Sequence, residues 1–242
     1  MVHTLPDYTT KYKMTKIFGN IDTGELAARL GSCNTFDRRG STIWMDDFEE
    51  PILRWSVIGG LTLGDAVLST AKMQSGAQSC KINTGDTNGF PTIIRKDMDY
   101  SVAGRLGFEF AQTRDALVAT MIWEAKVYDG TWLHFVRLTY TDATGIVSVY
   151  NSAGAEETIA TVPFFGSGGT EFIHMKFVFD MTTHRMVRFI HEDRTYDISN
   201  VLYWCPASGN PSHIELRMYV DGDVGQDRTI YLDDVIVTQN EP

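Results

Sequence analysis

The sequence predicts an all-β protein, a jelly-roll β-sandwich of two antiparallel sheets preceded by an extended N-terminal arm with one short helix. Three observations predict it. Short apolar runs separated by Gly, Asn and Asp turn signals recur from Trp44 almost to the end of the chain, the spacing of a sandwich. Several of these runs alternate with period 2, so one face is buried and the other is wet or covered by a further layer. Only one convincing helical stretch is present. Trp44-Met45-Asp46-Asp47-Phe48-Glu49 opens the domain and Ile230-Tyr231-Leu232-Asp233-Asp234-Val235-Ile236-Val237 closes it. These segments read as first and last strands lying side by side.

Residues 1–41 form the arm and residues 42–242 the sandwich. Within the arm, residues 22–31 read as the helix, with Asp22 or Thr23 as N-cap, Glu25 in the first turn and Gly31 as the stop. Tyr8, Tyr12, Ile17, Phe18 and Phe36 are apolar anchors on an otherwise polar stretch. They predict an arm that packs on its own domain or on neighbouring subunits.

In the sandwich, residues 52–58 read as a strand closed by Gly59-Gly60, followed by strands over 66–70 and 79–83. Residues 85–89 are a polar turn. Residues 104–110 alternate as a strand, and residues 116–128 form a longer apolar one. Asp129-Gly130 then supplies a two-residue hairpin turn, with residues 131–139 running back. A second hairpin joins 145–150 to 157–162. In the strand over 172–180, Ile173, Met175, Phe177 and Phe179 share one face while His174 and Lys176 share the other. Strands follow over 185–191 and 195–197. From 213 to 220, Ile214, Leu216, Met218 and Val220 point inward while His213, Glu215, Arg217 and Tyr219 point outward. The last strand covers 229–238. Gly166-Ser167-Gly168-Gly169 lies between two strands of the same core and reads as a loop, not a linker.

Composition bounds the function. With 43% hydrophobic residues, the chain needs no disulfide framework to build a core. A net charge of −10 argues against a nucleic-acid partner, which requires clustered Lys and Arg. No apolar run approaches the length of a membrane helix, and the first residues lack the apolar core of a signal peptide. Synthesis in a cytoplasm is therefore expected. Cys33, Cys80 and Cys205 are widely spaced, form no CxxC or Cys/His cluster in sequence, and read as reduced thiols; no zinc site is expected.

The globular part resembles the jelly-roll sandwiches of carbohydrate-binding modules and concanavalin-like (laminin-G-like) domains. The likeness rests on Asp47-Phe48-Glu49 with Trp55, on Ser75-Gly76-Ala77-Gln78-Ser79-Cys80-Lys81-Ile82, on residues 177–196 and on the closing strand. It covers residues 44–238. In such modules the opening and closing strands often share a structural calcium, and the resemblance places it on Glu49 and on Asp233 or Asp234. Calcium wants several hard oxygens, and two acidic pairs brought together by strand pairing would otherwise repel. The alternative is that these acids alternate outward and meet water, Arg54 or Arg228.

The Glu-x-Asp-x-x-Glu strand of concanavalin-like hydrolases is absent. So, as a set, are the Arg-x-Glu, Gln-x-His and Tyr-x-Lys constellations of jelly-roll lyases. Asp46-Asp47-x-Glu49 and Glu192-Asp193 read as surface or loop charge. His174 and His213 are candidates to share an outer face with Tyr219, against the reading of solvated or satisfied histidines. Sugar binding needs aromatics that stack on pyranose rings, and Trp132 and Trp204 are the candidates. The first expectation is a non-catalytic assembly protein, made without a signal peptide. By analogy it decorates a virus particle, that of a bacteriophage, and its arm engages a homo-oligomer or neighbouring shell subunits. The alternative is a carbohydrate-binding module recognising a glycan. Third is a glycoside hydrolase or polysaccharide lyase with an unrecognised site.

Overall fold

The structure is a computed structural model that describes residues 37, 39–58, 64–85, 91–99, 102–118, 120–162, 171–222 and 226–242. The expected helix over 22–31, the anchors Tyr8, Tyr12, Ile17, Phe18 and Phe36, and Cys33 lie outside the described residues.

The strands in chain order are β1 (Ser41–Asp46), β2 (Ser56–Ile58), β3 (Asp65–Ser69), β4 (Ser79–Asn83), β5 (Thr92–Met98), β6 (Arg105–Arg114), β7 (Thr120–Tyr128), β8 (Leu133–Thr141), β9 (Ile146–Tyr150), β10 (Glu156–Thr161), β11 (Ile173–Asp180), β12 (Arg185–His191), β13 (Arg194–Asp197), β14 (His213–Asp221) and β15 (Thr229–Gln239). An eight-stranded sheet runs β13-β12-β11-β6-β15-β4-β3, with β1 also paired to β15. A seven-stranded sheet runs β10-β9-β8-β7-β14-β5-β2. The two antiparallel sheets make the all-β sandwich that the periodicity predicts.

The opening and closing strands do lie side by side, with Met45 opposite Ile236 and Asp46 opposite Val235. β15 spends its first half beside β4 and its second beside β1. The exchange occurs at a register shift between Asp233 and Ile236, where Asp234 takes φ 48°. The expected strand over 52–58 shrinks to Ser56–Ile58. Phe48 has φ 56° and the Trp55 indole N–H donates to Asp46 Oδ2 at 2.9 Å, so the chain turns there and leaves Ile52 exposed. β5 was not expected. Its Arg95, Lys96 and Asp97 mask the apolar alternation.

Between the sheets, Phe108 stacks on Phe177 and Phe179 with centroids 5.5 and 5.8 Å apart, and Phe110 stacks on Trp123 at 4.8 Å. Buried side chains of this size contribute about 1.5–3 kcal/mol each. Gly145 ends the turn after β8 with φ 69°, and a Cβ there would sit 2.2 Å from the Val162 carbonyl oxygen. Gly145→Ala is expected to cost roughly 1–3 kcal/mol, read as a lower urea midpoint at unchanged slope.

The outer face of the eight-stranded sheet is covered around β11. Lys176, outward on β11, is fully buried. Its ammonium lies 2.8 Å from Glu241, 3.1 Å from Asp37 and 3.7 Å from Glu109, and donates to the carbonyls of Asp37 and Arg39. Arg188 pairs with Glu241 and donates to the Pro242 carbonyl. Asp37 and Arg39, just before β1, therefore dock on this chain's own sheet.

Candidate functional site: the outer face of the seven-stranded sheet

Strand alternation sends every second residue of β7, β8, β14 and β5 to the outer face of the second sheet. Cross-strand register then builds rows from them. Arg95, Arg217, Glu124 and Arg137 stand side by side in one row, and Asp97, Glu215, Lys126 and Phe135 in the next. On a chain of net charge −10, this patch holds four cations against three carboxylates.

Glu124 sits at its centre with 2% of its surface exposed. Arg137 donates to its Oε1 through Nε at 2.8 Å and through Nη2 at 2.5 Å, and the Tyr219 hydroxyl donates to its Oε2 at 2.9 Å. Tyr219 in turn accepts from Arg217 Nη1 at 3.1 Å, and Arg217 Nε lies 2.6 Å from Glu215 Oε1. Lys126 Nζ lies between the two carboxylates, 3.5 Å from Glu124 and 3.4 Å from Glu215. Burial, with the Glu124 charge adding to it, pushes the Tyr219 phenol up against the opposing pull of Arg217. Tyr219 is therefore a proton donor at neutral pH. Burial alone would weaken the Arg217 cation, but its bonds to Tyr219 and Glu215 outweigh that and hold it protonated.

An aromatic ridge borders this network. Residues 202–207 bridge the two sheets, with Leu202 paired to Arg185 and Trp204 to Phe135. That places the Trp204 ring edge-on to Phe135 at 5.5 Å and to Tyr150 at 6.2 Å. The Arg137 guanidinium lies over both Phe135 and Tyr150, at 5.2 and 5.4 Å. Tyr128 stacks on His213 at 4.2 Å further along the same face.

The candidates named from sequence, and the neighbouring aromatics, are dispersed over the molecule. Trp204 stands on this ridge, 38% exposed. Trp132, 37% exposed, lies over His184 at one end of the sandwich. Trp123, Tyr140 and Tyr203 are core. His213 and Tyr219 share the face, but His174 does not, because β11 belongs to the other sheet. Glu49, Asp233 and Asp234 fasten one loop. Glu49 Oε1 accepts from the N–H groups of Ala77 and Gln78, Asp233 Oδ2 from those of Gln74 and Ser75, and Asp234 Oδ1 from the Ser75 hydroxyl. Asp233 and Asp234 are buried, so the alternative in which they point into water does not hold.

Sequence reasoning missed Glu124, Lys126 and Arg137 as a site. One signal was present: Glu124-Ala-Lys126-Val-Tyr128 and Glu215-Leu-Arg217-Met-Tyr219 repeat the pattern Glu-x-cation-x-Tyr on two strands.

No family model matches the chain, and no curated protein matches it in sequence. Solved structures share its fold. An endo-β-1,4-glucuronan lyase from the fungus Trichoderma reesei superposes with a TM-score of 0.56 at 10% identity, over 82% of this chain and 95% of that one. The cellulose-induced protein Cip1 gives 0.54 at 13% identity, over 81% and 97%. A sialidase gives 0.53 at 10% identity over 84% of this chain, which spans only 19% of the sialidase. At these identities the likeness shows a shared sandwich.

That company corrects the expectation of a non-catalytic shell protein. The architecture is one that a named lyase has over nearly its whole length, so the fold gives no ground for excluding catalysis. This face assembles Glu124 and Glu215 from two strands, unlike the single-strand Glu-x-Asp-x-x-Glu pattern.

Proposed function

We propose that the protein recognises a glycan on the outer face of its seven-stranded sheet. The observation that supports this reading is the Glu124 network lying beside the Trp204–Phe135–Tyr150 ridge. Apolar ring faces and a fixed array of donors and acceptors on one surface match the two faces of a sugar. The shared fold with carbohydrate-named proteins supports the same reading. The test is binding to a glycan panel by the full chain, by Trp204→Ala and by Ile52→Ala, which alters a remote exposed residue. Trp204→Ala is expected to weaken binding about tenfold, ~1.4 kcal/mol, with Ile52→Ala unchanged. An absence of binding across neutral and uronic-acid glycans, or full binding by Trp204→Ala, would sink it.

A second reading, glycan cleavage at the same face, is favoured by the two carboxylates around Lys126. Diagonal cross-strand neighbours such as Glu124 and Glu215 stand on the order of 7–8 Å apart at the backbone, within the span used by paired carboxylates in glycoside chemistry. Tyr219 supplies a protonated phenol beside one of them. Glu124→Gln is then expected to lower turnover by about 10²-fold or more while glycan is still bound.

The calcium is also a proposal. Glu49, Asp233, Asp234 and the Ser75 hydroxyl are the right donor type and meet at one loop. Both Asp233 oxygens accept N–H groups, so a cation would draw mainly on Glu49 and Asp234. A bound ion would supply charge neutralisation at the β15 register shift.

A further inference from the structure

At the end of the sandwich away from these carboxylates, three side chains distant in sequence converge. His134 points inward from β8, His184 sits in the β11–β12 turn with φ 54°, and Cys205 comes from the segment that bridges the sheets. One ligand atom from each lies within 4.8 Å of the other two. We propose that His134 Nδ1, His184 and Cys205 Sγ form a binding site for a transition-metal ion of the zinc(II) class.

The surroundings of His134 fix its tautomer. Its Nε2 lies 3.1 Å from Asp129 Oδ2. A carboxylate only accepts, so Nε2 carries the hydrogen and Nδ1 presents a lone pair. Asp129 is itself locked, with Oδ1 accepting from the N–H groups of Thr131 at 2.7 Å and Trp132 at 2.6 Å. A carboxylate that orients the far nitrogen of an imidazole is the usual support of a metal-ligating histidine. On the other side, Nδ1 meets Cys205 Sγ at 3.6 Å and the Tyr203 hydroxyl at 2.8 Å. That hydroxyl has a second acceptor, the Asp180 carbonyl at 3.2 Å. When a metal takes the Nδ1 lone pair, the Tyr203 proton turns to Asp180 and no buried group is stranded. His134 is buried while His184 and Cys205 are half-buried, so an ion has a supported inner ligand and an open approach. Two imidazoles and one thiolate suit zinc, cobalt or copper and do not suit calcium or magnesium. Three protein ligands leave a fourth tetrahedral position for water. On binding, Cys205 loses its proton to solvent and no electron is exchanged.

The Cys205–His134–Asp129 line also has the order of a thiol nucleophile, its base and its orienting acid. The Tyr203 hydroxyl, nearer to Nδ1 than the sulfur is, disfavours that reading, and the test separates the two.

The metal-free full chain is titrated with Co²⁺, then with Zn²⁺. One equivalent of Co²⁺ is expected to give a thiolate-to-cobalt charge-transfer band and tetrahedral d–d absorption, both erased by zinc. Cys205→Ser removes the charge-transfer band, His184→Ala weakens binding at least hundredfold, and Asp129→Asn weakens it about 10–100-fold. Because a variant can lose its fold, site-resolved maleimide labelling is read on the native chain as well, with zinc expected to protect Cys205. The proposal is overturned by the absence of a charge-transfer band, by metal binding that Cys205→Ser and His184→Ala leave unchanged, or by rapid Cys205 alkylation that zinc does not slow. The last outcome would mark a nucleophile instead.

Discussion

Lys176→Met is expected to destabilise the protein by about 3–5 kcal/mol, lowering its melting temperature by roughly 6–20 °C. The methionine keeps the length and apolar stem of the lysine, so packing changes little. What is lost is the ammonium that Asp37, Glu109 and Glu241 surround on the covered face of the eight-stranded sheet. Arg188 reaches Glu241 and, at 3.7 Å, Asp37, and it cannot replace the second cation. Buried Glu109 and Glu241 and half-buried Asp37 would then keep only the guanidinium groups of Arg188 and Arg39, and a buried charge that loses its partner costs far more than the pair contributed. Adding Glu109→Gln to Lys176→Met should recover part of the loss, because it removes one of the negative charges around the lost ammonium. A thermal melt that moves by less than about 2 °C, under ~1 kcal/mol, would show that the cluster is wet and that Asp37 and Arg39 do not hold to the sheet as described.

The same cluster shows what a single sequence reveals. Lys176 was legible as an outward residue of a period-2 strand, but the pattern alone left its face either wet or covered. Tertiary contact decided it. The pairing of β1 with β15 was legible because both strands carry acidic pairs in recognisable settings. The Glu124 network was not. Glu124 and Arg217 are 93 positions apart in the chain and meet only through the register of β7 on β14, which is set by packing of the opposite faces. The alternation of β14 named Glu215, Arg217 and Tyr219 as outward, and nothing in it named their neighbours. β5 was missed for a related reason: Arg95 and Asp97 point to this charged face, so the strand lacks the apolar balance of its neighbours. The His134, His184 and Cys205 cluster was hidden likewise, since no two of its members lie within a short motif.

In metal-free buffer, the Asp233 site is expected to weaken the fold by roughly 4 kcal/mol as pH rises from about 4 to about 7. Burial first, and then the neighbouring Asp234 charge, push the Asp233 carboxyl up to about 7, against the N–H groups of Gln74, Ser75 and Asp234 that favour its ionised form. The unfolded carboxyl titrates near 3.9. The folded state therefore binds this proton more tightly, so the stabilisation is fully present below the unfolded value. It is lost as pH rises through the folded one. Asp37, Asp129 and Asp180 run the other way: their folded values are lowered, and they lose stability as pH falls. Calcium separates the two groups. A cation held by Glu49 and Asp234 beside it would supply the charge that burial denies to Asp233, and would matter most once Asp233 has ionised. Adding calcium to the chelated protein should therefore raise the melting temperature at pH 8 and change it little at pH 5. Equal melts with and without calcium at pH 8 would remove the ion. A carboxyl titration of Asp233 near 4, followed by carbon NMR, would remove the buried repulsion on which the pH dependence rests.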